Sequence, residues 1–298
     1  MRIGIDLGGT KIEAVALGDQ GEELFRCRVP TPTADYEAIL RAIAGLVSSI
    51  EQRIGQRGSV GIGTPGAVSP RTGFIKNSNS IVLNGRPLDR DLAVTLGRSV
   101  RIENDANCFA LSEAVDGAAH DASVVFGAIL GTGVGAGIVI DKRVVSGRNR
   151  IAGEWGHNPL PWPRAEEWPG PPCYCGKTGC IETFLSGPGL AHEFRLRTGK
   201  ETSANEIASG AAAGDSAAVA VMETYEDRLA RGLAHVINIV DPDMIVLGGG
   251  LSNIARLYQK VPAIIQRYVF SDGVETPVVR AMHGDSSGVR GAAWLWPA

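Results

Sequence analysis

The chain has no long hydrophobic run, no strong excess of charge of either sign and few cysteines. None of its apolar stretches is long enough to span a bilayer. Its start, Met1-Arg2-Ile3-Gly4-Ile5-Asp6, shows no charged n-region, apolar h-region or cleavage site, so no secretory signal is read. A formal net charge of −3 points neither to nucleic acid nor to an anionic membrane as partner. The five cysteines form no even framework, and an odd count without a signal suggests reduced thiols in the cytoplasm. No Gly-Lys-Ser/Thr follows directly on the glycine-rich turn at 131–137, which excludes a Walker A loop there. What remains is a globular composition, 44% hydrophobic and 20% charged, over 298 residues, enough for two ordinary domains.

Three of the cysteines are concentrated between Glu154 and Glu182. The segment reads Glu154-Trp155-Gly156-His157, then a Pro/Trp-rich insert (159–172), then Cys173-Tyr174-Cys175-Gly176-Lys177-Thr178-Gly179-Cys180-Ile181-Glu182. One imidazole and three thiolates suit tetrahedral Zn²⁺, so His157, Cys173, Cys175 and Cys180 are expected to hold a structural metal. Two glutamates bracket the set and are surplus to it. Cys27 and Cys108 stand alone in apolar surroundings and read as core residues.

Periodicity supplies the framework. Arg2–Asp6 and Ile12–Leu17 predict a hairpin with a glycine-rich tip. Residues 35–54 carry apolar side chains at helical spacing, 60–63 and 100–103 read as strands, and Asp105 opens a helix. Strand, glycine turn and returning strand recur at 124–130, 131–135 and 136–140, a repeat that implies two related α/β halves with a phosphate-binding tip in each. Further on, a helical face through Met222 and Val240 precedes a strand at 244–247, a helix from about Ser252 and a terminal helix near 288–296.

The tips carry chemistry. In Asp6-Leu7-Gly8-Gly9-Thr10-Lys11, adjacent glycines let backbone N–H groups approach an anion, and Asp6 suits a hydrated Mg²⁺. Gly131-Thr132-Gly133-Val134-Gly135-Ala136-Gly137 leads into a strand, which rules out a dinucleotide-binding fingerprint. Gly248-Gly249-Gly250 lies between strand and helix, where adenosine or ribose could rest. Asp105, in Asn104-Asp105-Ala106-Asn107, reads either as a helix N-cap or as a general base for a sugar hydroxyl attacking a γ-phosphorus. These residues alone do not separate the two.

Taken together and in order, these motifs resemble the ROK family (repressor, open reading frame, kinase), and the resemblance runs the length of the chain. Within the family, residues 104–119, 152–162 and 283–296 most resemble bacterial fructokinases of the manno(fructo)kinase type. The resemblance implies an actin/hexokinase-like (ribonuclease H-like) pair of α/β domains flanking a cleft. Residues 1–118, joined by a C-terminal helix at 286–298, would form one domain and 119–285 the other. It implies Mg²⁺-ATP as phosphoryl donor and fructose as acceptor at its 6-hydroxyl, with glucose, mannose or N-acetylglucosamine as alternatives. It makes Asp105 the base. Asp6, Gly8, Gly9, Thr10 and Lys11 become the first phosphate loop, Thr132, Gly133, Val134, Gly135, Ala136 and Gly137 the second, and Gly248, Gly249 and Gly250 the adenosine site. Asn79, Asn104, Asp105, Glu154, His157 and Glu182 fall on the sugar side. A homodimer is expected, and nucleic acid and membrane are not. Sugar-responsive repressors of the family carry a helix-turn-helix ahead of the first loop, for which this chain leaves no room.

Overall fold

A computed structural model describes residues 1–297, with only the backbone at Asp285. Strands β1 (Arg2–Leu7) and β2 (Lys11–Leu17) form the hairpin, and β3 (Glu23–Pro30) adds to its outer edge. Helix α1 (Tyr36–Ile54) starts where the Asp35 carboxylate accepts from Ala38 N at 3.1 Å, and it buries Tyr36, Ile39, Leu40, Ile43, Leu46, Val47 and Ile50 on one face. Then follow β4 (Ser59–Thr64), the short pair β5 (Ala67–Val68) and β6 (Ile75–Lys76), α2 (Leu88–Leu96), β7 (Val100–Asn104) and α3 (Asp105–Val115). The first sheet has the order β3-β2-β1-β4-β7, with β1, β4 and β7 parallel.

The chain continues through β8 (Val124–Leu130), β9 (Val134–Ile140) and β10 (Arg143–Val144). A loop segment leads to α4 (Ile181–Leu185), α5 (Gly187–Thr198), α6 (Ala204–Ala212) and the long α7 (Ser216–Val240). Then come β11 (Met244–Gly248), α8 (Ala255–Ile265), β12 (Val278–Arg280) and α9 (Ser287–Trp294). The second sheet has the order β10-β9-β8-β11-β12, position for position the order of the first, so the repeat read from the glycine turns is a repeat of topology. Strands β8, β11 and β12 are parallel, and β11, between β8 and the edge strand β12, is buried, which is why 244–248 reads as an unbroken apolar run. No helix among the described residues is long and apolar enough to cross a membrane.

The chain divides into two compact units: residues 1–121, 137–153 and 282–298 in one, and 122–136 with 154–281 in the other. The expected division, 1–118 with the C-terminal helix 286–298 and 119–285, differs chiefly in leaving 137–153 with the second domain. Residues 137–153 belong with the first unit because Gly137 lies directly on α3. A Cβ there would sit 2.7 Å from Ala106 O and 2.8 Å from the Ala110 methyl, so only glycine permits the approach. Farther along, Ser146 Oγ and Arg150 Nη1 donate to buried Glu103, and Lys76 Nζ donates to Asn149 O at 2.9 Å. The return of the C-terminal helix rests on buried Glu113 of α3, which accepts from Met282 N, His283 N and Ser287 Oγ. The far end of the 286–298 helix expected from sequence, Ala298, lies outside the described residues.

Candidate active site and metal centre

The β1–β2 tip is closed by Gly8 N donating to Lys11 O at 3.1 Å, and Thr31 Oγ1 donates to Gly8 O from beside it. Gly9 and Thr10 are exposed, as an anion-binding turn requires. Lys11 is directed elsewhere: its ammonium pairs with Glu13 at 3.0 Å, and Glu13 also holds Arg26. Asp6, at the end of β1, is pushed up to about 6, first by burial and then by the charges of Asp105 and Glu13, against the pull of Lys11. A carboxylate raised by neighbouring carboxylates in this way is relieved by a divalent cation.

At the β7–α3 junction the two readings of Asp105 part company. Asn104 is the N-cap, its side-chain oxygen accepting from Ala106 N at 2.9 Å and its amide donating to Gly66 O at 3.2 Å. Asp105 occupies the first helical position, exposed, with Oδ1 also within reach of Ala106 N. The cap therefore falls one residue earlier than expected, and Asn104 is committed on both ends of its amide. Glu103, which sequence reasoning passed over, accepts from Asn104 N, Asn107 Nδ2, Ser146 and Arg150. Asn79 sits in an exposed loop between β6 and α2.

The second glycine turn is built within the other unit. Gly131 N donates to Gly133 O at 3.0 Å, and Gly187 N at the start of α5 donates to Gly131 O. Glu182 supports the turn from α4: its Oε2 accepts from Val134 N at 2.8 Å. The glutamate read as surplus to the metal is thus already fixed to the backbone of the phosphate loop. Thr132 is exposed, whereas Val134, Ala136 and Gly137 are buried in the strand that follows, so the tip is shorter than the seven-residue motif suggests. Gly248 ends β11, Gly249 turns at φ 78°, and a 3-10 turn over Gly250–Asn253 separates them from α8. The glycines therefore meet a 3-10 turn and not directly the α-helix expected from about Ser252.

Between these elements the Glu-x-Gly-His motif has a local cause. Trp155 is buried, its indole N–H donating to Gly232 O at 3.3 Å and its ring edge-on to Phe126. Gly156 lies against β9, where a Cβ would be 2.0 Å from Val134 O. With these two inside, Glu154 is left exposed and His157 half-buried. The donor atoms of His157, Cys173, Cys175 and Cys180 all lie within 4.8 Å of one another. Cys175 Sγ is 3.6 Å from Cys180 Sγ, and Cys173 Sγ is 3.6 Å from His157 Nδ1. Tetrahedral zinc, with bonds of about 2.3 Å to sulfur and about 2.0 Å to nitrogen, spaces its ligands by about 3.5–3.8 Å, so the residues fit the ion. Burial pushes the Cys173 thiol up and that of Cys180 up to about 12, while the backbone N–H of Lys177 lowers Cys175. A bound cation deprotonates all three. The second imidazole nitrogen of His157, a residue also placed on the sugar side by the family resemblance, meets the Tyr174 phenol at 2.9 Å.

The Pro/Trp-rich insert is anchored from beneath. Glu167, 2% exposed, accepts from Arg231 and Arg228 of α7, and Arg231 also donates to the carbonyls of Pro161 and Trp162. Burial by itself would raise Glu167, but the hydrogen bonds from Arg231, Arg228 and the Arg164 backbone bring it down to about 2. A depressed carboxylate adds stability above its unfolded value near 4.3 and loses it as pH falls toward about 2. Glu167→Gln leaves two buried guanidiniums short of a charge partner. It is expected to cost about 3–5 kcal/mol at neutral pH and to flatten the acid dependence between about pH 4 and 2, read by urea unfolding.

Duplicated sheets, a glycine tip on each and a Cys₃His cluster beside the second define a class of two-sheet α/β proteins with a hexokinase-like fold. The ROK family profile matches residues 2–298, and the chain belongs to the ROK family. It is 42% identical over 299 aligned positions to an N-acetyl-D-glucosamine kinase of Vibrio vulnificus, covering 99% of both chains. Among solved structures it is similar to a ROK hexokinase from Thermus thermophilus (32% identity, TM-score 0.88, covering 99% of this chain and 97% of that one). It is also similar to a ROK glucokinase from Streptomyces griseus in complex with glucose and AMPPNP (28% identity, TM-score 0.76, covering 98% and 97%).

Proposed function

We propose that this chain is an ATP-dependent hexose kinase that transfers the γ-phosphoryl group to a sugar hydroxyl, with N-acetylglucosamine as its leading substrate. The observation that carries the chemistry is the division of roles at the β7–α3 junction: Asn104 caps the helix while Asp105 presents an exposed carboxylate at the strand end. A loose phosphoryl-transfer transition state asks little of the base beyond position. Asp105 accepts the sugar hydroxyl proton as that oxygen attacks the γ-phosphorus, and ADP leaves. The turns at Gly9–Thr10 and Thr132–Gly133 offer backbone N–H groups to the phosphates. Mg²⁺, held through water at Asp6 beside Asp105, would neutralise phosphate charge. Zn²⁺ on His157, Cys173, Cys175 and Cys180 would brace the loop that carries Glu154 and Glu182. A homodimer and a cytoplasmic place belong to the same proposal on the family resemblance.

The fructose expected from the sequence gives way here. Relatives at 42% identity are named N-acetylglucosamine kinases. Hexoses differ at one or two groups, so a few contacts decide the preference. An ADP-release assay with N-acetylglucosamine, glucose, mannose and fructose is expected to give the first the highest kcat/KM, by at least about tenfold. A higher value for fructose would overturn the substrate assignment and leave the kinase standing. Turnover of no hexose would overturn both.

A further inference from the structure

Every residue of β7 is exposed or half-buried except one, and that one carries a carboxylate, Glu103. A buried carboxylate is costly unless donors surround it, and an apolar side chain would fill the same space without that demand. What a carboxylate can do here, and an apolar group cannot, is hold two segments at once. Glu103 Oε1 accepts from Asn104 N at 3.0 Å and from Asn107 Nδ2 at 3.1 Å. Its Oε2 accepts from Ser146 Oγ at 2.5 Å and from Arg150 Nη1 at 3.3 Å.

The donors to Oε1 flank Asp105 in the chain: one is on the N-cap residue, the other in the first turn of α3. A single oxygen thus grips the helix start on both sides of Asp105. The Asn107 amide turns its nitrogen toward Glu103 even though its own buried oxygen finds no partner among the described residues. The donors to Oε2 belong to a turn that is itself anchored. Arg150, at φ 55°, donates its N–H to Gly147 O at 3.2 Å, and Lys76 Nζ donates to Asn149 O at 2.9 Å. All of these residues lie in the first compact unit. We infer that Glu103 is a positioning residue for Asp105, tying the first turn of α3 to the anchored turn at 146–150 and so fixing where the Asp105 carboxylate stands. The inference rests on the hexose-kinase reading above and deepens it. A base in phosphoryl transfer acts by position, so a small displacement of its helix is felt in the chemical step.

The test is Glu103→Gln, which keeps the size and one oxygen but gives up the charge and one acceptor. It is expected to lower kcat roughly ten- to hundredfold, with the KM for ATP unchanged within about twofold. A structural role alone would lower the melting temperature and leave kcat, measured well below it, as in the wild type. The deciding measurement is a cycle with Asp105→Asn. A residue that acts through Asp105 loses its effect once the base is gone, so the double variant should be no slower than Asp105→Asn. Equal losses in both backgrounds, or a wild-type kcat in Glu103→Gln, overturn the inference and leave the kinase reading intact. Should Glu103→Gln fail to fold, Ser146→Ala combined with Arg150→Gln removes both donors to Oε2 from outside the strand, and the same cycle with the same outcomes applies. Wild-type protein that turns over no hexose overturns the reading itself, and the inference with it.

Discussion

Asp105→Asn is expected to lower kcat by about 10²- to 10⁴-fold, the range a positioned general base contributes. The fold should survive. Asparagine keeps an oxygen that can accept from Ala106 N, and Asn104 remains in place as the cap. The change also removes a negative charge that raises Asp6, so ATP affinity should hold or improve as Asp6 ionises more readily. Thermal unfolding, nucleotide binding and ADP release measured together decide the matter. A variant with near-wild-type kcat would show that Asp105 is only part of the helix start.

The second large effect is expected at the metal centre. Cys175→Ser should abolish zinc binding and lower the melting temperature on the order of 10 °C, since a structural zinc contributes on the order of 10 kcal/mol even in small peptides. The effect should be large because the cluster adds a metal tie to segments otherwise joined by only a few backbone hydrogen bonds, among them Leu160 N to Gly179 O and Ile181 N to Asn158 O. It draws together the Trp155–His157 turn, the 173–180 loop and the start of α4, and α4 carries the Glu182 that holds Val134 N. Loss of the metal should therefore reach the phosphate turn. Cys27→Ser, outside the cluster and half-buried in β3, serves as the control and should keep its zinc. A protein that contains no metal and melts identically in both variants would contradict the assignment.

Much of this was legible in the residues. The helix at 36–54 and the strands at 59–64, 124–130 and 244–248 follow from local periodicity, because burial of one face or of both leaves a pattern in the chain. The metal ligands were legible because His and Cys at close spacing have few other uses. Strand β3 was not legible: it is an edge strand with only partly buried side chains, so no alternation marks it. The buried ion network of Glu167, Arg228 and Arg231 was also invisible, since charged residues 61 and 64 positions apart look like solvated surface until α7 lies beneath the insert. The same holds for Glu103 and Glu113, whose partners arrive from residues 146–150 and 282–287.

The sequence by itself determined the repeat, the glycine tips, the carboxylate at 105 and the four metal donors, because each is set by residue type and short spacing. Only the tertiary structure decided which polar groups are already spent. Asn104 goes to the helix cap, Lys11 to Glu13, Glu182 to Val134 N and the outer nitrogen of His157 to Tyr174. Hydrogen-bond capacity is finite, and where each donor and acceptor is used depends on which distant segments fold against it.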